Sequence, residues 1–172
     1  PLSRRIRVYD FDSFDQSKRW IQLGQDIHYQ DISYQHLIIA GEDSVAISSS
    51  AGNRLLITGS VRSRVYEIKS TNGAIQEWAQ LGQDLTIAKG PCAISSDGSR
   101  VALSSDGSSV ALGGEVSVYD LNATANEWIQ IGQTVKSPAG AYEYSMDMSS
   151  DGTRLAIGAS EEKSGGVVRL YR

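Results

Sequence analysis

Three tryptophans, Trp20, Trp78 and Trp128, are the residues of this 172-residue sequence best suited to hold a ligand. An indole face stacks on rings and on the apolar faces of sugars. Gln22, Gln80 and Gln130, two residues beyond each Trp, would add amides beside it. The same spacing has a plainer reading. A tryptophan that recurs once per unit is core between packed sheets, set opposite a glycine that leaves it room. Tyr29, Tyr34, Tyr142 and Tyr144 lie outside the recurring frame and are further candidates for a binding surface.

The other chemically capable groups read as structural. Asp10, Asp12 and Asp15 are the acidic cluster nearest to a calcium loop, yet no Gly marks a tight bend there. Asp10 also recurs in its strand as Glu67 and Asp120, so a strand end or loop is expected. Glu161 and Glu162 beside Lys163 read as an exposed loop. His28 and His36 would need a further strong ligand to hold zinc, and Cys92 is the only thiol. Cys92 aligns with Val45 and Met146, which predicts a small core residue in a strand. Gly-x-Ser-x-Gly is absent, and the Ser-Ser pairs flank turns, where hydroxyls satisfy backbone groups. No glycine loop opens a helix to cradle phosphate. Arg54, Arg100 and Arg154 recur after the turns and are expected to cap or pair across neighbouring strands. These residues predict no enzyme, no metal and no cofactor.

The elements that position these residues are repeats. Arg7-Val8-Tyr9-Asp10 returns as Arg64-Val65-Tyr66-Glu67 and as Ser117-Val118-Tyr119-Asp120, and Arg169-Leu170-Tyr171 ends the chain. The tyrosines are spaced by 57, 53 and 52 residues. A second signature follows each of the first three: Trp20-Ile21-Gln22-Leu23-Gly24-Gln25, Trp78-Ala79-Gln80-Leu81-Gly82-Gln83 and Trp128-Ile129-Gln130-Ile131-Gly132-Gln133. A third runs Ser49-Ser50-Ala51-Gly52-Asn53-Arg54-Leu55, Ser95-Ser96-Asp97-Gly98-Ser99-Arg100-Val101 and Ser149-Ser150-Asp151-Gly152-Thr153-Arg154-Leu155. Period-two alternation and β-branched and aromatic residues make each unit strands, and no apolar helical stripe persists. Asp97-Gly98, Asp106-Gly107 and Asp151-Gly152 predict two-residue type I′ hairpins. The expectation is an all-β chain of tandem four-stranded blades, each of about 52 residues, β-propeller-like. The units run over about 5–60, 61–114 and 115–160, with a closing strand at 166–172. Residues 95–103 are copied almost at once as 104–112, which either adds a strand or replaces a longer loop.

These three signatures resemble the repeats of FG-GAP-like, integrin-α-type β-propeller proteins, which occur in secreted and surface proteins of diatoms and some bacteria. The resemblance covers essentially the whole chain and implies a surface interaction module. The Asp-x-Asp-x-Asp-Gly calcium loop of the integrin pattern is missing, which argues against a metal here.

Composition narrows the partners. A net charge of −4 excludes a nucleic-acid module driven by phosphate neutralisation, and no apolar run approaches the ~20 residues of a membrane helix. A single cysteine allows no internal disulfide. The Asn122-Ala123-Thr124 sequon makes Asn122 a candidate N-glycosylation site and leans toward an extracellular or cell-surface location. The start at Pro1 suggests a processed form or a fragment. Three units and an opening strand fall short of a standard closed propeller, and open blades expose sheet edges. A longer propeller, a six-bladed ring of two copies, or stacking into a larger assembly would each resolve this. The expected function is a non-catalytic binding module displaying loops at 28–43, 86–91 and 136–145 to a protein partner. The alternatives are self-assembly through strand edges and a repeat lectin binding carbohydrate at the tryptophans.

Overall fold

A computed structural model describes residues 4–12, 18–29, 44–49, 53–59, 62–71, 75–86, 90–104, 115–136, 141–161 and 165–172. Every regular element among them is a strand. The first group comprises β1 (Arg4–Ile6), β2 (Tyr9–Asp12), β3 (Arg19–Gln22) and β4 (Ile27–Tyr29), with β1 paired to β4 and β2 to β3. The next sheet is an antiparallel meander of β5 (Val45–Ile47), β6 (Arg54–Thr58), β7 (Ser63–Thr71) and β8 (Ile75–Leu85). A second meander holds β9 (Cys92–Ile94), β10 (Arg100–Ser104), β11 (Glu115–Asn122) and β12 (Glu127–Lys136). The last sheet has three strands, β13 (Ala141–Met148), β14 (Leu155–Glu161) and β15 (Val167–Tyr171).

The tyrosine and tryptophan signatures form the last two strands of both four-stranded sheets. Tyr66 lies opposite Gln80 and Ile68 opposite Trp78; Tyr119 lies opposite Gln130 and Leu121 opposite Trp128. Tyr9 opposite Gln22 and Phe11 opposite Trp20 repeat that register, so β1 to β4 are one such outer pair, each strand interrupted once. β15 occupies the third-strand position of its sheet, as β7 and β11 do in theirs. The sheets are therefore out of phase with the units of the sequence. Strands β5 and β6 come from the unit at 5–60 and their partners β7 and β8 from the next. The sequence signatures begin in mid-sheet.

Both faces of a sheet are covered by neighbours, which explains the unbroken apolar runs in the second strands. In β6, Leu55 and Ile57 pack back onto Val8 and Ile27 of the first group, with Tyr66 and Trp78. Leu56, between them, points forward and joins Val65, Leu81 and Leu85 against Cys92, Val101, Leu103 and Trp128. β10 repeats the division: Val101 and Leu103 face back, while Ala102 faces forward with Ala93 and Val116 onto Met148, Leu155 and Ile157. Alternate side chains of a strand point to opposite faces, so a strand sandwiched on both sides must be apolar at every position. The result is the expected all-β, propeller-like succession, in which two sheets are four-stranded among the described residues.

The turns correct one expectation. A type I′ hairpin needs positive φ at both central residues. Here only the glycine has it, Gly98 at +71° and Gly152 at +68°, and the connections are longer. Gly98 N–H donates to the Ser95 carbonyl (2.9 Å), and Gly152 N–H to that of Ser149 (2.8 Å). The aspartate supports the turn instead. Asp97 accepts from the Ser95 hydroxyl (2.8 Å) and the Ser99 N–H (3.0 Å), and Asp151 repeats both bonds with Ser149 and Thr153. The serine hydroxyls satisfy turn backbone as expected: those of Ser48, Ser95 and Ser149 accept the N–H of Arg54, Arg100 and Arg154. Asp106-Gly107 and the second nine-residue copy from 105 onward lie outside the described residues.

Candidate functional site

The tryptophans hold blade to blade. Trp128 on β12 is 3% exposed and donates its indole N–H to the Leu81 carbonyl of the preceding sheet (2.9 Å). Gly82 provides the room: a Cβ there would sit 2.6 Å from Trp128 Cδ1. Its φ of +74° also disfavours any other residue. Gln83 completes the socket by clasping the Trp128 backbone. Its Oε1 accepts the Trp128 N–H (2.9 Å) and its Nε2 donates to the Trp128 carbonyl (2.8 Å). The same assembly stands one interface earlier. Trp78, 4% exposed, donates to the Leu23 carbonyl (2.8 Å), and Gln25 grips its N–H (2.8 Å) and carbonyl (3.1 Å).

The structure therefore splits the three tryptophans. Trp78 and Trp128 are corrected from candidate ligand platforms to inter-blade core, because their faces are covered and their indole nitrogens bonded. Trp20, 67% exposed, lies in the first group, where the only ring against it is Phe11 among the described residues (centroids 5.2 Å apart). Nor are the expected amides free. Gln22 donates to the Gly24 carbonyl and Asp26, and Gln80 to the Gly82 carbonyl and Asp84. Gln130 donates to the Thr134 hydroxyl.

The carboxylates are likewise engaged. Arg7 pairs with Asp26 (2.9 Å) and Arg64 with Asp84 (2.6 Å), while the third copy substitutes a Ser117 to Thr134 hydroxyl contact (3.2 Å). The Arg7 guanidinium holds Asp26 down to about 2, and Arg64 with Arg62 holds Asp84 well below the carboxylate range. Hydrogen bonds from Ser149 and Thr153 hold Asp151 at about 2. Two of the recurring arginines, Arg54 and Arg100, pair across strands and stitch blades. Arg54 binds Glu67 (2.9 Å) and lies over Gly98 of the next sheet. Arg100 binds Asp120 and donates to the Gly152 carbonyl of the next (2.8 Å).

Cys92 is buried in the core, as its alignment predicts, and burial pushes its thiol up to about 11. Asp10 and His28 are exposed on β2 and β4. Asn122 is exposed at the end of β11, where its Oδ1 accepts the N–H groups of Thr124 and Ala125 (both 3.2 Å). Tyr29, Tyr142 and Tyr144 are placed by backbone alone, on β4 and β13. Tyr34, His36 and Asp15 lie outside the described residues. Sequence reading missed the role of Gln25 and Gln83, although their invariable place five residues after each Trp was visible in the repeat.

Sheets of this kind, stacked face to face through a repeated lock, define an all-β, propeller-like class of tandem blades. No family model and no curated protein matches the chain. Three solved structures align with the chain. A Bacteroides uniformis protein described as a 6-phosphogluconolactonase is 14% identical with a TM-score of 0.53, covering 97% of this chain and 53% of its own. TolB from Acinetobacter baumannii is 12% identical (TM-score 0.47), with 96% and 37% covered. A functionally unknown protein from Desulfotomaculum acetoxidans is 14% identical (TM-score 0.48), with 95% and 49% covered. The chain thus spans about half or less of each structure's length. The likeness to the first, at 14% identity, is one of fold alone.

Proposed function

We propose that the chain is a non-catalytic interaction module of the FG-GAP-like surface type, a rigid stack of blades that presents its connecting loops to a protein partner. One observation carries this reading. The side chains most capable of chemistry are largely spent on the scaffold, Trp78, Trp128, Gln25 and Gln83 in blade locks and the carboxylates Asp26, Asp84 and Asp120 in arginine pairs. A scaffold so fastened leaves its connections free to vary without cost to the core.

The test separates scaffold from loop. On the display reading, replacing 30–43 with a short Gly/Ser linker leaves the unfolding midpoint within about 3 °C of the parent. A collapse of the midpoint would show that the segment is structural and would sink the display reading. Hydrolysis of 6-phosphogluconolactone by the purified chain, abolished by a point substitution, would overturn the non-catalytic part.

A further inference from the structure

Strand β10 has a second set of residues able to build it. Residues 104–112 repeat 95–103 at every position but one, where Ser109 stands for Arg100. The first copy supplies the observed turn and strand, and each residue that shapes them has its counterpart nine places on. The Ser95 hydroxyl accepts the Arg100 N–H (3.0 Å), and Ser104 is its counterpart. The Asp97 carboxylate accepts the Ser99 N–H (3.0 Å), and Asp106 is its counterpart. Gly98, at φ +71° against the Arg54 side chain, corresponds to Gly107. Val101 and Leu103 face back into one core and Ala102 forward into the next; Val110, Leu112 and Ala111 are the same residue types in the same order. Whichever copy pairs, the apolar side chains buried in β10 are the same, so burial favours neither.

What separates the copies is Arg100. Its guanidinium pairs with Asp120 on β11, Nη2 donating at 2.7 Å, and its Nη1 donates to the Gly152 carbonyl of the next sheet (2.8 Å). The side chain of Ser109 is too short to make either bond. We propose that β10 is a two-register strand: either copy can pair between β9 and β11, and Arg100 is the residue that sets the register. Charge-assisted bonds of this kind hold the observed register by about a hundredfold. A slip of nine residues also closes. Ser104 now lies opposite Val116; after the slip Gly113 takes its place and leaves Gly114-Glu115 as a two-residue connection. Glycine first is the composition of a type II′ hairpin. In an antiparallel meander successive connections lie at opposite ends of the sheet. The slip therefore removes nine residues from the β10–β11 connection and adds them to the β9–β10 connection at the other end. The device goes beyond the interaction-module reading and stands without it, since it uses only the pairing chemistry of β9, β10 and β11.

The deciding variant is Ser109→Arg, which removes no contact of Arg100 and makes the two copies identical. Amide hydrogen exchange and two-dimensional NMR of the full chain read the register. The native chain should give one set of signals, with the amides of Ala102 and Leu103 exchanging about a hundredfold or more slower than those of Ala111 and Leu112. In Ser109→Arg, Gly90 and Val116 should each give two signals, because Ser104 neighbours them in one register and Gly113 in the other. The minor set should reach about 10% or more, since loops of different length differ only severalfold in closure. The double variant Arg100→Ser, Ser109→Arg should invert the protection, slow at Ala111 and Leu112 and fast at Ala102 and Leu103. A single set of signals in Ser109→Arg, with Ala111 and Leu112 still exchanging freely, would overturn the proposal. So would a double variant that keeps its protection at Ala102, or one that fails to fold, since the slipped register restores every Arg100 contact. Protection of both copies at once in the native chain would overturn it too, by making the second copy a further strand. None of these outcomes bears on the replacement of 30–43, so the two readings fail separately.

Discussion

The Gly82 side of β8 and the Gly132 side of β12 carry nearly the same residues in the same backbone, and one is core while the other is surface. At Gly82 the neighbouring indole is closer than a methyl group would allow; at Gly132 there is open space. Trp20 and Trp128 make the same contrast from the donor side, one exposed and one buried. The difference teaches that a repeat residue has no fixed role of its own. Its energetic weight comes from whether the adjacent blade is present to receive it.

That contrast can be broken most forcefully at the tryptophans. Trp128→Ala should cost about 3 to 5 kcal/mol, as truncating a buried aromatic does, read as the loss of unfolding free energy in denaturant melts. Trp20→Ala should cost under about 0.5 kcal/mol, the usual range for an exposed position. Next come the glycines. Both Gly82→Ala and Gly132→Ala force an L residue into left-handed backbone at about 1 to 2 kcal/mol. Only the former also drives a methyl into an indole, for a further loss of about 1 to 3 kcal/mol. A smaller separation is expected at the clasps. Gln83→Ala leaves the Trp128 backbone groups unpaired at about 1 to 3 kcal/mol, whereas Gln133→Ala should be near neutral. Equal losses within any pair would erase the distinction between the covered and the open copy.

The smallest effect is acid sensitivity. The folded pKa values of Asp26, Asp84 and Asp151 lie below their unfolded value of 3.8. Their stabilisation is therefore complete above about pH 5 and is lost as pH falls through 4 toward 2, because the unfolded chain then binds more protons. Melting temperature should drop over that window, and Asp84→Asn should flatten the drop. An unchanged slope in that variant would mean the Arg64 pair contributes nothing to folding.

Much of the scaffold was legible in the residues. Tyr9, Tyr66 and Tyr119 with their following tryptophans announced recurring strands, and the Trp-to-glycine opposition announced the blade contact. Two features were hidden. The phase of the sheets was hidden because signatures in one order along the chain do not say which neighbours share hydrogen bonds. The inequality of Trp20, Trp78 and Trp128 was hidden because burial depends on the sheet packed outside the unit, and the three local sequences are nearly the same. The turns misled for a different reason: Asp97-Gly98 supports a longer connection in which Asp97 accepts hydrogen bonds and only Gly98 needs positive φ. Cys92, Arg54 and Arg100 behaved as their alignment suggested, whereas Val45, at the strand position of Cys92, is exposed.

The most direct test of blade locking by tryptophan is acrylamide quenching of the native chain beside Trp20→Phe. The account predicts one readily quenched emitter in the parent and a nearly quencher-resistant, blue-shifted spectrum once Trp20 is gone. Emission from the Trp20→Phe chain that remains as quenchable as the parent's, while its unfolding stays cooperative, would contradict it.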